Sequence, residues 1–290
     1  MSIRNIIKDI FYSCLTRKQV INHVYKASTG KTMNWDNPRD YNEKINWLKL
    51  NSDTSLWTQY ADKFRVRKHI EELGLSELLV PLLGKWDKAE DIDFSILPDR
   101  FVIKTNHGSG DVIIVKDKQK TDVEEIQHRL KKNLRTPYGK YQGENHYLKI
   151  PPCIIAEPLL EPYSSVSSSL IDYKMICFDG KPFSTLCFFN REEGHYEFEL
   201  HDINWEYQPQ YLVYNEHSRR GGGVIPKPIS YDKMVEAASI LSKGFPQVRI
   251  DFYEIDGKPF ISELTFTSTG GCICYLTQEY LNILGDQCIL

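Results

Sequence analysis

The segment Gln247 to Gly271, QVRIDFYEIDGKPFISELTFTSTGG, gathers two carboxylates, a guanidinium and a hydroxyl in one short stretch. The runs VRIDFYEI and KPFISELTF alternate apolar and polar residues around Asp256-Gly257, a dipeptide that favours a tight hairpin turn. Side chains on a strand alternate faces, so Arg249, Asp251 and Tyr253 are expected on one face. On the return strand Ser262, Leu264 and Phe266 are expected on one face, with Glu263 and Thr265 on the other. The pleat lets Asp251 and Glu263 converge, with Arg249 and Thr265 beside them. Two carboxylates and a hydroxyl are hard oxygen donors of the kind Mg²⁺ takes when it also holds nucleotide phosphates. An edge hairpin with a solvated polar face would carry the same residue types. These polar groups sit mid-strand among apolar neighbours, however, and burial or function must account for them.

A second candidate is FVIKTNHGSGDVIIVKDK, from Phe101 to Lys118. Two strand-like runs flank Asn106 to Asp111, and Gly108, Ser109 and Gly110 allow backbone N–H groups to cradle phosphate oxygens. Lys104 ends the first run and can meet those phosphates as a point charge. Gly-x-Gly between strands equally describes a flexible hairpin. No helix follows the loop, so it is neither a Walker loop nor a dinucleotide fingerprint. His107 reads as a base or as hydrogen-bonding support, and Asp111 either points away from the phosphates or binds metal. Asp172 and Lys174 share a strand face in another hairpin, built on Asp179-Gly180, where a structural ion pair is as good a reading as a functional one.

The elements that must position these groups follow from periodicity. Helices are expected over Ile3 to Phe11, Arg17 to Ala27 and Tyr41 to Leu50, and over Asp62 to Leu73 with Gly74 as the stop. A helix capped by Thr121 runs to Leu134, and Tyr231 to Lys243 forms an amphipathic one. Residues 136–152 read as a turn-rich loop suited to touching substrate. Cys153 to Ala156 is a buried strand leading into Glu157, Leu159 and Leu160. Strands are expected over Asp172 to Phe178, Pro182 to Phe189 and Tyr196 to Leu200. Ser164 to Ser169 reads as a flexible serine tract and Arg219 to Gly223 as a mobile basic loop.

At 290 residues the chain can bury a sizeable core, and 41% hydrophobic with 26% charged residues is ordinary for a soluble protein. A net charge of −3 gives no electrostatic case for nucleic acid as a partner. Seven cysteines without a C-x-x-C pair read as reduced thiols in a cytoplasmic protein. Charged residues interrupt the apolar stripe near the N-terminus, so no signal peptide or membrane span is expected. That first helix can pack on the body or lie peripherally on the inner membrane face.

The order of these features resembles the ATP-grasp superfamily, from about Asp62 to Gly271. More closely it resembles the TupA-like branch, associated with teichuronopeptide and capsular polysaccharide gene clusters. The residues that carry the likeness are NPRDYNEKINWLKL, ADKFRVRKHI, KTNHGSG, IIAEPLL, DYKMICFDGKP and VRIDFYEIDGKPFISELTFTSTGG. The resemblance implies an α+β ATP-grasp fold in which two lobes clasp ATP, with a helical N-terminal segment over 1–60. The phosphate-loop part would occupy 61–160 and the C-terminal lobe with the metal site 161–290. It implies Lys104 at the α/β-phosphates, with the loop from His107 through Gly108, Ser109 and Gly110 closing over them. Glu157 and the backbone of Leu159 and Leu160 would hold the adenine edge, and Asp172 the ribose. Lys174 would lie near the γ-phosphate or the acyl group, and Arg249 would stabilise the transferring phosphoryl. Asp251 and Glu263 would ligate Mg²⁺. Many superfamily members carry Asn where Thr265 stands, and a hydroxyl is the weaker metal donor.

The chemistry so implied is carboxylate activation by ATP and amide formation with an amine or amino acid. The acid would be a uronate, a nucleotide sugar or an acidic peptide in surface-polysaccharide assembly. The Arg219-Arg220 loop suits such an anion, although a solvated loop explains it equally. A sugar kinase, a glycosyltransferase and a non-catalytic nucleotide-binding partner are the rival readings. A kinase would leave a stable phospho-sugar where a ligase releases phosphate. No Asp-x-Asp element supports a transferase, and the intact Arg249, Asp251 and Glu263 argue against lost turnover.

Overall fold

A computed structural model describes residues 3–161, 166–192 and 194–290, with side chains from Lys8 onward. The first part of the chain forms helices α1 (Ile3–Ser13), α2 (Arg17–Thr29), α3 (Tyr41–Asn51), α4 (Ser55–Tyr60) and α5 (Val66–Glu72). Strands β1 (Gly84–Trp86), β2 (Phe101–Thr105) and β3 (Ile113–Val115) precede α6 (Val123–Leu134), α7 (Asn145–Leu148) and β4 (Ile154–Pro158). The remainder is β5 (Asp172–Phe178), β6 (Lys181–Glu192), β7 (His195–Asp202), β8 (Ser218–Arg220), α8 (Tyr231–Ser242), β9 (Val248–Ile255), β10 (Lys258–Thr265) and α9 (Gln278–Gln287).

Two sheets result. The smaller has the order β1-β4-β2-β3, and α6 covers it through Ile126 and Leu130, which join Phe101, Ile103 and Ile154 in a separate core. The larger has the order β10-β9-β5-β6-β7-β8 and is antiparallel except where β8 joins β7. Helix α8 packs on it with Tyr231, Met234, Ala237, Ala238 and Leu241, an apolar stripe at helical spacing. Both Asp-Gly turns fold as expected: Asp179 and Gly180, and Asp256 and Gly257, all have positive φ, as tight hairpin turns that match strand twist require. No helix among the described residues is long and apolar enough to cross a membrane.

Helix α3 is central because it touches both the turn at Ser268–Gly271 and α9 beyond β10. Asp40 caps it, accepting the Glu43 N–H at 2.9 Å, and Tyr41, Ile45 and Leu48 enter the core. Its start is buttressed by α9, where a Cβ added at Gly285 would lie 2.2 Å from the Arg39 carbonyl oxygen. Gly285→Ala is therefore expected to overpack this contact and destabilise the protein by about 1–3 kcal/mol, read as a lowered denaturation midpoint. An unchanged midpoint would mean that the two helices separate freely.

Several expectations are corrected. The helix expected over Asp62 to Leu73 begins at Val66, because Asp62 turns its carboxylate onto the Phe64 and Arg65 N–H groups and holds the preceding residues in a turn. Asp122, not Thr121, caps α6 by accepting the Glu125 N–H. The loop at 136–152 contains a helical turn at Lys140–Gln142 and the short α7. Arg219 and Arg220 form edge strand β8, and the loop beyond is anchored, with the buried Glu199 carboxylate accepting the Val224 and Ile225 N–H groups. Of the serine tract, Ser164 and Ser165 lie outside the described residues. Ser167 and Ser169 bind the Asn190 and Arg191 N–H groups through their hydroxyls. The side chains of Ile3, Ile6 and Ile7 also lie outside the described set; α1 docks through Asp9, which accepts from Lys140 Nζ at 2.8 Å.

Candidate active site

Strands β9 and β10 pair so that Glu263 lies opposite Asp251 and Thr265 opposite Arg249. This register brings the four polar groups together. The register slips between Ile261 and Glu263, so Ser262 is a bulge residue and turns into the same cleft as Glu263. Ser262 thus does not share the core-facing side of Leu264 and Phe266, which corrects the simple alternation.

Arg249 is the hub. Its Nε and Nη2 donate to the two oxygens of Asp251 at 2.6 and 2.7 Å, a bidentate pair. Nη2 also reaches Thr265 Oγ1 at 3.1 Å and Glu263 Oε1 at 3.3 Å, while Nη1 donates to Ser268 Oγ. From the neighbouring β5, Lys174 stands beside Asp251 and binds its Oδ2 at 2.6 Å, with Asp172 at 3.3 Å. Burial alone would raise the Glu263 pKa, but Lys63, Lys174 and Arg249 outweigh it and hold the carboxyl well below the usual range. Burial works likewise against the Arg249 and Lys174 charges, and their carboxylate neighbours reverse it, so both stay cationic.

Lys63 is the residue that sequence reasoning missed. It donates to the Gly108 carbonyl at 2.7 Å and pairs with Glu263 Oε2 at 3.3 Å, tying the glycine loop to the hairpin. Its signal was the ADK turn, hidden inside an expected helix. Asp111 accepts from the Thr105 N–H and hydroxyl, which pins the glycine loop back on β2 and settles its direction.

The two sheets thus enclose a cleft of about 660 Å³. Lys104, Gly108, Ser109 and Gly110 line one wall of it, and Asp172, Lys174, Arg249, Glu263 and Thr265, from the larger sheet, line the other. Arg191 stands at its edge, paired with Asp172. Asp251 lies behind this surface at 1% exposure. Glu157 is outside the cleft, bound to Lys104 Nζ at 2.7 Å and Arg67 at 3.5 Å. Leu159 and Leu160 continue from β4, half-buried and away from the cleft. His107 lines a smaller pocket behind the loop, its Nε2 3.3 Å from the Thr136 carbonyl, and burial keeps it neutral.

Among the described residues no three His, Cys, Asp or Glu groups form a ready cage for a metal. The donors still suit Mg²⁺: Glu263 presents a low-pKa carboxylate to the cleft beside the Thr265 hydroxyl, and Mg²⁺ commonly takes one or two carboxylates plus phosphate oxygens. Asp251 is occupied on both oxygens by Arg249 and Lys174, and serves a metal only if one of them yields.

Residues 43–289 match the family model described as TupA-like ATPgrasp. The architecture is therefore that of an ATP-grasp protein, a class whose enzymes use ATP with Mg²⁺. Within that class, the chain belongs to the TupA-like ATP-grasp family. No curated protein matches it. Among solved structures it is similar to a D-alanine–D-alanine ligase from Bacillus anthracis, at 14% identity and TM-score 0.40, covering 79% of this chain and 60% of that one. A D-alanine–D-alanine ligase from Helicobacter pylori gives 10% identity and TM-score 0.48, covering 86% and 67%. The ATP-grasp ligase PsnB with its minimal precursor gives 12% and 0.41, covering 84% and 68%. The chain spans about 60% of the length of the first of them.

Proposed function

We propose that this protein is an ATP-dependent carboxylate–amine ligase that forms an amide through an acyl phosphate. The observation that carries the reading is the convergence of Lys63, Lys174 and Arg249 on Glu263 and Asp251 under a glycine loop. Such a constellation has fixed charges where a transferring phosphoryl group needs them. In this reading residues 61–160 supply the phosphate loop, residues 161–290 the metal-side lobe and residues 1–60 a helical segment. Glu263 with Thr265, and Asp251 where one of its cations yields, would hold Mg²⁺, which when bound would supply positive charge to neutralise the phosphates.

The substrate carboxylate attacks the γ-phosphorus, its bond to ADP breaks, and Arg249 and Lys174 balance the charge on the moving group. The amine then attacks the acyl carbon and phosphate departs. Lys104 and Lys63 hold the nucleotide phosphates, and Ser109 and Gly110 close over them. Asp172 would meet the ribose, with His107 supporting the loop from behind, and Glu157, Leu159 and Leu160 would meet the adenine edge only where the base extends beyond the cleft they stand outside. The acid we propose is a uronate, nucleotide sugar or acidic peptide of a surface polysaccharide, with an amino acid or other amine as partner. The reaction would take place in the cytoplasm, at or near the inner membrane face.

The test is thermal stabilisation by a non-hydrolysable ATP analogue with and without Mg²⁺, followed by phosphate release with uronate and amine pairs. A Mg²⁺-dependent shift with free phosphate as product is expected. A stable phosphorylated sugar would make the protein a kinase, and no shift would remove the nucleotide site. Lys104→Ala should raise the KM for ATP roughly 10- to 150-fold, the worth of a charged hydrogen bond, with kcat less affected. An unchanged KM would move the phosphate contact elsewhere.

A further inference from the structure

The stretch NPRDYNEKINWLKL has no role in the nucleotide chemistry, yet it builds one end of the cleft. Asn42, Asn46 and Lys49 recur at helical spacing on α3 and are buried although polar. Asn42 exchanges two hydrogen bonds of 2.9 Å with the backbone of Ile273, and Asn46 donates to the Gly271 carbonyl at 2.7 Å. Lys49 donates to the Gly270 and Gln142 carbonyls, each at 2.8 Å. This polar stripe clamps the segment beyond β10 against the turn at Gln142. Thr269 is held there at φ 50°, a left-handed conformation that is sterically costly for a β-branched residue.

Between the two clamped segments lies Glu144, 4% exposed, facing the cleft with Tyr138 and Tyr147 beside it. The Thr267 hydroxyl donates to its Oε1. Thr267 lies just past β10 on the line of Glu263 and Thr265, so this end of the cleft adjoins the phosphoryl-transfer residues. Glu263, Asp251 and Asp172 are each ion-paired, whereas no lysine or arginine among the described residues forms an ion pair with Glu144. Burial raises its pKa and Lys49, set behind it, only partly offsets this. A desolvated carboxylate of this kind gains most from a cation arriving in the cleft.

We propose that Glu144, with Thr267, Tyr138 and Tyr147, is the subsite for the ammonium group of the amine substrate, a placement that rests on the ligase reading above. The ammonium gives one proton to Glu144, and the freed lone pair forms the C–N bond at the acyl carbon. The bond from that carbon to the phosphate oxygen breaks with its electron pair on phosphate, which carries off the second nitrogen proton. Lys49 is a positioning residue for this wall.

The test uses the whole protein with a non-hydrolysable ATP analogue and Mg²⁺, titrated with the common amino acids and putrescine while thermal stability is followed. One of these amines is expected to add a further shift, and its N-acetyl derivative to add none. Glu144→Gln should weaken that amine at least tenfold while keeping the nucleotide shift, and Glu144→Asp should fall between the two. Equal binding by Glu144→Gln, or by the N-acetyl derivative in the parent, would overturn the subsite. An amine shift lost in Glu144→Gln but without any nucleotide shift would uphold the subsite and overturn the ligase reading instead.

Discussion

Glu263→Gln is expected to fold like the parent and to lose turnover by a factor on the order of 10² to 10³, the usual effect of deleting one placed charge in such a step. The amide keeps an oxygen for Arg249 and Thr265, 3.3 and 3.2 Å away in the parent, so the hairpin has little reason to reorganise. What disappears is the negative charge that faces the cleft, and with it the partner of Lys63 at 3.3 Å. Lys63 retains the Gly108 carbonyl, so the glycine loop should stay tethered. Two readouts separate the outcomes. ADP release reports turnover, and stabilisation by the ATP analogue reports binding, whose Mg²⁺-dependent part should vanish. A variant that turns over at the parental rate would remove Glu263 from the chemistry.

Removing Arg249 should be costlier, because it acts on stability as well. Arg249→Met leaves Asp251 at 1% exposure with Lys174 as its one remaining cation, and breaking a buried pair from one side costs about 3–5 kcal/mol. Activity should fall at least as far as in Glu263→Gln. Arg249→Lys should recover part of the stability and little of the rate, since an ammonium cannot reproduce the two parallel bonds at 2.6 and 2.7 Å. Denaturant unfolding and ADP release measure the two effects independently. A loss of stability below about 1 kcal/mol would show that Lys174 alone suffices to compensate the buried Asp251 carboxylate.

Much of the site could be read before any coordinates. The two Asp-Gly turns and the alternation around them specify hairpins locally, and the hairpins carry Arg249, Asp251, Glu263, Thr265, Asp172 and Lys174. The turn-rich 136–152 segment reads as a loop suited to touching substrate; in the fold it holds a helical turn and α7, and its Glu144 lines the cleft. The glycine loop was found by composition, although its two functions as flexible hairpin and phosphate cradle could not be told apart there.

Lys63 was lost because charged residues with helical spacing look alike whether a helix starts at Asp62 or at Val66. The difference is made by the Asp62 carboxylate, which also accepts from Asn106 Nδ2 at 2.8 Å, a partner far away in the chain. Arg219 and Arg220 read as loop because a three-residue edge strand has no period to detect; it exists by pairing with Tyr196 to Phe198.

By itself the sequence determined what depends on neighbours in the chain: two hairpins, the face each side chain takes on an unbroken strand, and the family. Tertiary structure alone decided the bulge that turns Ser262 into the cleft and the direction of Lys63. It also decided the occupation of Asp251 by two cations and the wall that α3 holds around Glu144. Lys63, the pairing of Lys174 with Asp251 and the α3 wall rest on hydrogen bonds or ion pairs between segments tens to hundreds of residues apart. No local pattern encodes such contacts, because their energy exists only once both segments are packed and shielded from water.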